Sequence, residues 1–166
     1  MKKFAVIGDP IKHSLSPLLH NWIFNQLKID AHYSKIRVPQ TDLSKSIKKI
    51  RDGELAGINI TIPHKTEIMQ YVDEVNPRAK LIGAINFIIP ANGKVIGNNT
   101  DWYGFSLALK RNKIDVNQKE VILIGAGGVS KGIIFVLKQQ GVAKVHLFNR
   151  TFDKISQLCD EFIHPH

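Results

Sequence analysis

The sequence predicts an α/β protein made of two successive units, the first around a small mixed sheet and the second around parallel strands. Three observations predict it. Strand-like apolar runs alternate with helix-length amphipathic segments, the pattern of a largely parallel sheet covered by helices. The segment Pro90-Ala91-Asn92-Gly93 carries an Asn-Gly turn between two apolar runs, the signal of a hairpin, so the first sheet is mixed. Beyond a polar stretch at 112–119, an apolar strand runs straight into a glycine-rich turn and a helix start, which opens a second unit.

The elements follow in order. Phe4-Ala5-Val6-Ile7 before Gly8-Asp9-Pro10 predicts a strand over 3–8, and Ser16-Pro17 predicts a helix start, with serine as N-cap and proline in the first turn. A strand over 32–38 leads to Thr41-Asp42, a second cap before a helix whose Leu43, Ile47 and Ile50 share one face. Strand 56–60 precedes helices over 64–72 and 77–82, the hairpin strands 84–89 and 94–96, and a helix over 102–111. After the stretch 112–119 come strand 120–124, helix 129–140, strand 144–148 and helix 152–162. The expected division is 1–111, a connection at 112–119, and 120–166.

Composition narrows the function classes. With 43% hydrophobic and 22% charged residues the chain can bury a sizeable core. A net charge of +9 suits nucleic acid, an anionic membrane surface or a phosphate-bearing small molecule. The basic residues are scattered, without a block of five or more, and no helix-turn-helix, RNP or zinc-finger pattern is present, so no nucleic-acid partner is expected. Cys159 is the single cysteine, which excludes an internal disulfide and makes the cytoplasm the expected location. The apolar run before Gly8 is too short for a signal-peptide core or a membrane span, so no membrane association is expected. The histidines form neither His-Glu-x-x-His nor a Cys/His cluster at zinc spacing, and no metal is expected.

Val121-Ile122-Leu123-Ile124 runs into Gly125-Ala126-Gly127-Gly128-Val129-Ser130-Lys131-Gly132. Glycine suits such a turn because side chains would keep the backbone from a pyrophosphate, whose charge the helix N-terminal N–H groups hold. The third position of G-x-G-x-x-G is Ser130, and Gly132 comes two residues later. Alone, the motif has a helix-entry turn that binds nothing as its alternative. The next predicted strand ends in Asn149-Arg150-Thr151, about 20 residues on, where a ribose-reading residue belongs. An NAD-preferring site has a carboxylate there, whereas a guanidinium can bind the 2′-phosphate of NADP. The alternative for Arg150 is an exposed strand-end arginine.

Three segments place polar groups at the carboxyl ends of predicted strands, where open α/β sheets bind ligands. Ser14 and Ser16 follow the first strand, and Ser16 is equally a helix cap. In Asn59-Ile60-Thr61-Ile62-Pro63-His64-Lys65, alternation sets Asn59 and Thr61 on one side and Ile60 and Ile62 on the other. Pro63 ends the strand and Lys65 opens the following helix, although alone it reads as a solvated surface lysine. Asn98-Asn99-Thr100-Asp101 enters the next helix, where Asp101 is either a cap or a functional carboxylate. Asn86 is a polar residue in an apolar run and needs a partner.

Taken in order, Ser14-Leu15-Ser16, Asn59-x-Thr61-x-Pro63-x-Lys65, Gly83-Ala84-Ile85-Asn86, Asn99-Thr100-Asp101, Gly125-Ala126-Gly127-Gly128 and Asn149-Arg150-Thr151 resemble the motifs of the shikimate dehydrogenase family. The resemblance covers essentially the whole chain. It implies a substrate-binding α/β domain followed by the first βαβ part of a Rossmann-like NADP-binding domain. It implies NADPH-dependent reduction of 3-dehydroshikimate to shikimate, in the pathway to aromatic amino acids, with quinate as an alternative substrate. Ser14, Ser16, Asn59, Thr61 and Asn86 would hold substrate, together with Lys65 and Asp101 as the catalytic pair. Gly125, Ala126, Gly127 and Gly128 would bind pyrophosphate, with Asn149, Arg150, Thr151 and Lys154 around the adenosine 2′-phosphate.

The chain departs from the family pattern at Phe87, where threonine is usual. It also ends at His166, whereas family members continue through the rest of the nucleotide sheet and a late substrate-contacting glutamine. Two parallel strands leave an open edge, so a dynamic or self-associating second unit with scant turnover is expected. The alternative function is a truncated, catalytically incomplete remnant that binds a small hydroxy-acid or serves as an interaction domain.

Overall fold

The computed structural model describes residues 1–163, with side chains through residue 159. Strand β1 (Lys2–Gly8) lies inside the first sheet, flanked by β2 (Ala31–Arg37) and β3 (Gly57–Ile60), both parallel to it. Strand β5 (Phe87–Ala91) runs antiparallel to β3 and forms a hairpin with β6 (Lys94–Asn98), and β4 (Glu74–Val75) adds in parallel at the far edge. The order is β2-β1-β3-β5-β6-β4, a mixed sheet as expected. At the hairpin, Asn92 and Gly93 both take positive φ, 52° and 73°, which matches the strand twist and explains the Asn-Gly pair.

Both faces of the sheet are covered, so β1 is apolar on both sides. Ala5 and Ile7 join Leu43, Ile47 and Ile50 of helix α2 (Leu43–Arg51), together with Ile60, Ile68, Ile85 and Ile88. Val6 packs on the other face with Ile11 and Tyr33, near helix α1 (Ser16–Gln26). Each such aliphatic side chain contributes about 1.5–3 kcal/mol when fully buried. This core is what holds the strand ends, and the polar groups beyond them, in one frame.

Two expected elements differ. The expected helix over 64–72 is a turn followed by a 3-10 helix at Glu67–Tyr71. The Lys65 carbonyl accepts from the Ile85 N–H at 2.8 Å, and Met69 N–H bonds Thr66 instead. An α-helix needs that carbonyl for residue i+4, so the tertiary bond prevents it. Residues 84 and 85, expected as strand, lie outside the ladder because Ala84 N–H closes the C-terminus of helix α3 (Pro77–Ile82) and Ile85 N–H is taken by Lys65, whereas Asn86, just before β5, still donates to the Asn98 carbonyl and accepts from Ile60 N–H.

The second unit pairs β7 (Glu120–Ile124) with β8 (Lys144–Phe148) in parallel. Helix α5 (Gly128–Gln139) covers one face, and helix α6 (Phe152–Ile163) follows β8. Helix α4 (Asp101–Arg111) contributes Trp102, Phe105 and Leu109 to this second core, beside Val121, Phe135 and Leu137. Ile122, Ile124 and Phe148 on the opposite face are exposed. Trp102 bridges the units: Arg78 of α3 lies 4.2 Å over its ring, and Phe135 of α5 meets it edge-on.

Gly97 of β6 gives the first core a sharp test. A Cβ there would stand 2.2 Å from Cδ1 of the fully buried Ile85. Gly97→Ala is expected to lower stability by about 1–3 kcal/mol, read as a lower urea midpoint; an unshifted midpoint would show that Ile85 has room to turn away.

Candidate active site

The site is built at the carboxyl ends of β1 and β3 and at the entry of α4. Pro63 and the turn after β3 bring Lys65 inward, where it is 7% exposed. Its Nζ donates to Asp101 Oδ2 at 2.6 Å. Asp101 is the first residue of α4, so its carboxylate also lies at the positive end of the helix dipole. Its side chain caps nothing. The capping role falls to the buried Asn99, whose Oδ1 accepts from Asp101 N–H at 2.8 Å while its Nδ2 donates to the Ala84 carbonyl at 2.9 Å.

Asn86 finds its partners here. Its Nδ2 donates to Asp101 Oδ1 at 2.8 Å and to Thr100 Oγ1 at 3.0 Å, and its Oδ1 accepts from Thr100 N–H at 2.9 Å. Both amide protons are thus engaged within the protein, and one of them fixes the carboxylate that faces Lys65. The Asn86 carbonyl accepts from Asn59 Nδ2 at 3.3 Å, and Asn59 Oδ1 accepts from the Tyr33 hydroxyl at 2.7 Å. Asn59 and Thr61 are half-buried while Ile58 and Ile60 are buried, the alternation expected. Ile62 breaks it, being 58% exposed beside the glycine loop.

Ser14 and Ser16 lie at the entry of α1 with reversed roles. Ser16 is already helical and makes no cap, whereas Ser14 Oγ accepts from Ser16 N–H at 3.4 Å and pairs with its hydroxyl at 3.3 Å. Ser14 also lines a groove of about 760 Å³ that reaches Tyr33.

The glycine loop opens toward this cluster. Gly125 has φ +113°, a conformation side-chain-bearing residues rarely adopt. Ser130, in the place of the third motif glycine, is buried and braces the loop: its Oγ accepts from Gly127 N–H at 3.2 Å and donates to the Gly125 carbonyl at 2.8 Å. Gly128 and Gly132 have packing reasons. A Cβ on Gly128 would sit 3.0 Å from Lys65 Cβ, and one on Gly132 would sit 3.3 Å from Trp102 N and 3.5 Å from Asp101 Cβ. Helix α5 therefore rests directly on both members of the ion pair. Asn149 Oδ1 accepts from Ala126 N–H at 3.3 Å and its Nδ2 donates to the Thr151 carbonyl at 2.8 Å, which ties the end of β8 to the loop. A cleft of about 450 Å³ runs between Pro63, Thr66, Ala126, Gly127, Gly128 and Lys154. Arg150 and Thr151 are exposed and do not line it.

Residues 6–88 match the model for the shikimate dehydrogenase substrate binding domain, and residues 106–166 match that for shikimate / quinate 5-dehydrogenase. The chain belongs to the shikimate dehydrogenase family. It is 42% identical to the shikimate dehydrogenase (NADP(+)) of Bacillus anthracis over 97% of this chain and 60% of that protein. The shikimate dehydrogenase structure from Aquifex aeolicus superposes with a TM-score of 0.89 at 38% identity, covering 97% of this chain and 60% of that one. The enzyme from Thermus thermophilus, solved with NADP(H) and shikimate, superposes at 0.85 with 34% identity, over 98% and 61% of the two chains. The chain thus spans about 60% of the length of the curated relatives it matches.

Within this family fold the structure brings Lys65, Asp101, Asn86 and Asn59 into one hydrogen-bonded network and sets Gly128 against it. Sequence reading missed Tyr33, Asn99 and Ser130. Asn99, in Asn99-Thr100-Asp101, and Ser130, in the glycine motif, stood inside local signals although their roles were not read; Tyr33 is 26 residues from its partner. Among the described residues no three His, Cys, Asp or Glu side chains gather to hold a metal ion, and no helix is long and apolar enough to cross a membrane.

Asn99→Ala would leave a buried carbonyl and the first N–H of α4 unmatched, an expected loss of about 1–3 kcal/mol. Chemical denaturation reads it, and a wild-type midpoint would contradict the capping role.

Proposed function

We propose that the chain carries the substrate side and the cofactor loop of an NADP-dependent shikimate dehydrogenase, which reduces 3-dehydroshikimate to shikimate in the pathway to aromatic amino acids. The observation that carries this reading is the Lys65–Asp101 pair at 2.6 Å, nearly withdrawn from water and packed against a glycine-rich loop. Residues 1–111 form the substrate side and 120–166 the cofactor side, joined by 112–119. The family membership and the named NADP(+) relatives support it.

The residues fit a dinucleotide. The loop at Gly125-Ala126-Gly127-Gly128 offers the N-terminus of α5, a Cβ on Gly127 would meet nothing within 4 Å, and Lys154 supplies positive charge in the same cleft. Helix N–H groups and a nearby ammonium suit a pyrophosphate. Arg150 and Thr151, after Asn149, receive the 2′-phosphate. When bound, NADPH supplies the hydride that the ketone carbon receives. Lys65 Nζ donates the proton to the substrate's carbonyl oxygen as negative charge builds there, and Asp101 Oδ2 holds that ammonium in place. Asn86 fixes Asp101, while Ser14, Ser16, Asn59 and Thr61 meet the ring hydroxyls and carboxylate. The exposed Ile122, Ile124 and Phe148 support self-association of the second unit, which sedimentation tests.

The test is a pair of measurements on the purified protein: NADP-dependent oxidation of shikimate, followed by NADPH absorbance, and calorimetric titration with shikimate. Turnover supports the reading; binding without turnover replaces it with a small-molecule binding module. In a form that turns over, Lys65→Ala is expected to lower kcat by about 10²-fold or more with little change in substrate affinity. An unchanged kcat removes Lys65 from the mechanism. Arg150→Ala is expected to weaken NADP binding by about 1.5–3 kcal/mol and NAD binding much less. Equal losses would contradict the 2′-phosphate assignment.

A further inference from the structure

Tyr33 lies on β2, outside every motif, and is 3% exposed. Its hydroxyl stands 2.7 Å from Asn59 Oδ1. The roles in this bond follow from a neighbour. Asn59 Nδ2 faces the Asn86 backbone carbonyl at 3.3 Å, and a carbonyl can only accept. The amide nitrogen is therefore on that side and its oxygen toward Tyr33, so the phenol must donate. Burial, which pushes the Tyr33 phenol well above its ordinary pKa, keeps that proton in place.

Tyr33 is itself held by two neighbours on α1. The His20 ring stacks on it at 4.2 Å and 11°. Asn21 takes both backbone groups of Tyr33, donating from Nδ2 to its carbonyl and accepting at Oδ1 from its N–H, each at 2.8 Å. His20 and Asn21 belong to α1, whose entry carries Ser14 and Ser16. One rigid piece thus runs from the serine pair through Tyr33 to Asn59.

We infer that Tyr33 is a positioning residue for the substrate site: by donating to Asn59 Oδ1 it locks the amide so that a nitrogen proton is left for an acceptor oxygen of the substrate. This rests on the reading of Asn59 as a substrate-binding residue. Asn59 Nδ2 carries two protons, the Asn86 carbonyl takes one, and no other described residue accepts the second. Without the phenol the amide is held only by the 3.3 Å bond to the Asn86 carbonyl and Oδ1 loses its donor, so the orientation that presents a nitrogen proton to the substrate is less firmly kept. Tyr33 thus reinforces the polarity of the contact that the Asn86 carbonyl begins, favouring a hydroxyl or carboxylate oxygen that accepts.

The experiment is a double-mutant cycle read by shikimate titration, with calorimetry or NMR shifts, on the whole chain and on Tyr33→Phe, Asn59→Ala and the double variant. Tyr33→Phe keeps the ring, and its circular dichroism checks the fold. It is expected to weaken shikimate binding about 5- to 10-fold, the usual worth of one neutral hydrogen bond. Asn59→Ala is expected to weaken binding at least as much, and adding Tyr33→Phe to it should cost nothing more. Losses that add, or an Asn59→Ala loss without a Tyr33→Phe loss, overturn the role of Tyr33 alone. No shikimate binding by the unaltered chain, or an Asn59→Ala variant with unchanged affinity, overturns the underlying reading and the inference with it. A second measurement needs no variant: on adding shikimate, one of the two Asn59 side-chain amide protons should shift strongly by NMR. If neither moves, the inference fails.

Discussion

An ammonium group withdrawn from water needs a carboxylate beside it, and the arrangement around Lys65 follows from that requirement. Removing the water shell from two charges costs several kcal/mol per ion, so the pair persists only where geometry and further hydrogen bonds compensate. Here the carboxylate is used on both oxygens, one by Lys65 and one by Asn86, and its backbone is fixed by Asn99. The Lys65 backbone is fixed in turn by Ile85, next to Asn86. Three segments distant in sequence thus close on one ion pair, and the first core supplies the sheet that lets them meet.

The second unit is bound to the same pair through the absence of side chains. Gly128 and Gly132 are four residues apart and share one face of α5, turned toward Lys65 and Asp101. The approach is close enough that a side chain at either glycine would collide with Lys65 or with the start of α4. The proposed cofactor cradle and the proposed proton donor are therefore placed by a single packing interface. Trp102, between Arg78 and Phe135, adds a larger contact next to it.

Much of this was legible in the chain. Alternation revealed the polar side at Asn59 and Thr61, the Asn-Gly pair revealed the hairpin, and ordered motifs picked out Lys65, Asn86, Asp101 and the glycine loop. What stayed hidden depends on contacts between distant segments. The helix expected after Lys65 gave way to a tertiary hydrogen bond that periodicity cannot register. The exposed Ile62 lines the cleft beside the glycine loop of the second unit, and strand β4, of two residues, is too short to have a period. Gly132, an irregularity in the motif, became intelligible only as a contact with the start of α4.

The side chain of Asn21 has an effect at the margin of the sheet as well as near the site. Strand β2 is the outermost strand of the sheet, and an outermost strand offers unpaired N–H and C=O groups on which another chain can continue the ladder. At Tyr33 those two groups are already occupied by the amide of Asn21, which imitates the donor and acceptor of a neighbouring strand. The ladder is thereby terminated by a helix of the same chain, at the residue that braces Asn59. Intermolecular strand addition along β2 would have to displace Asn21 first, and with it the stack that keeps Tyr33 in place, so resistance to aggregation and order at the site are maintained by the same side chain.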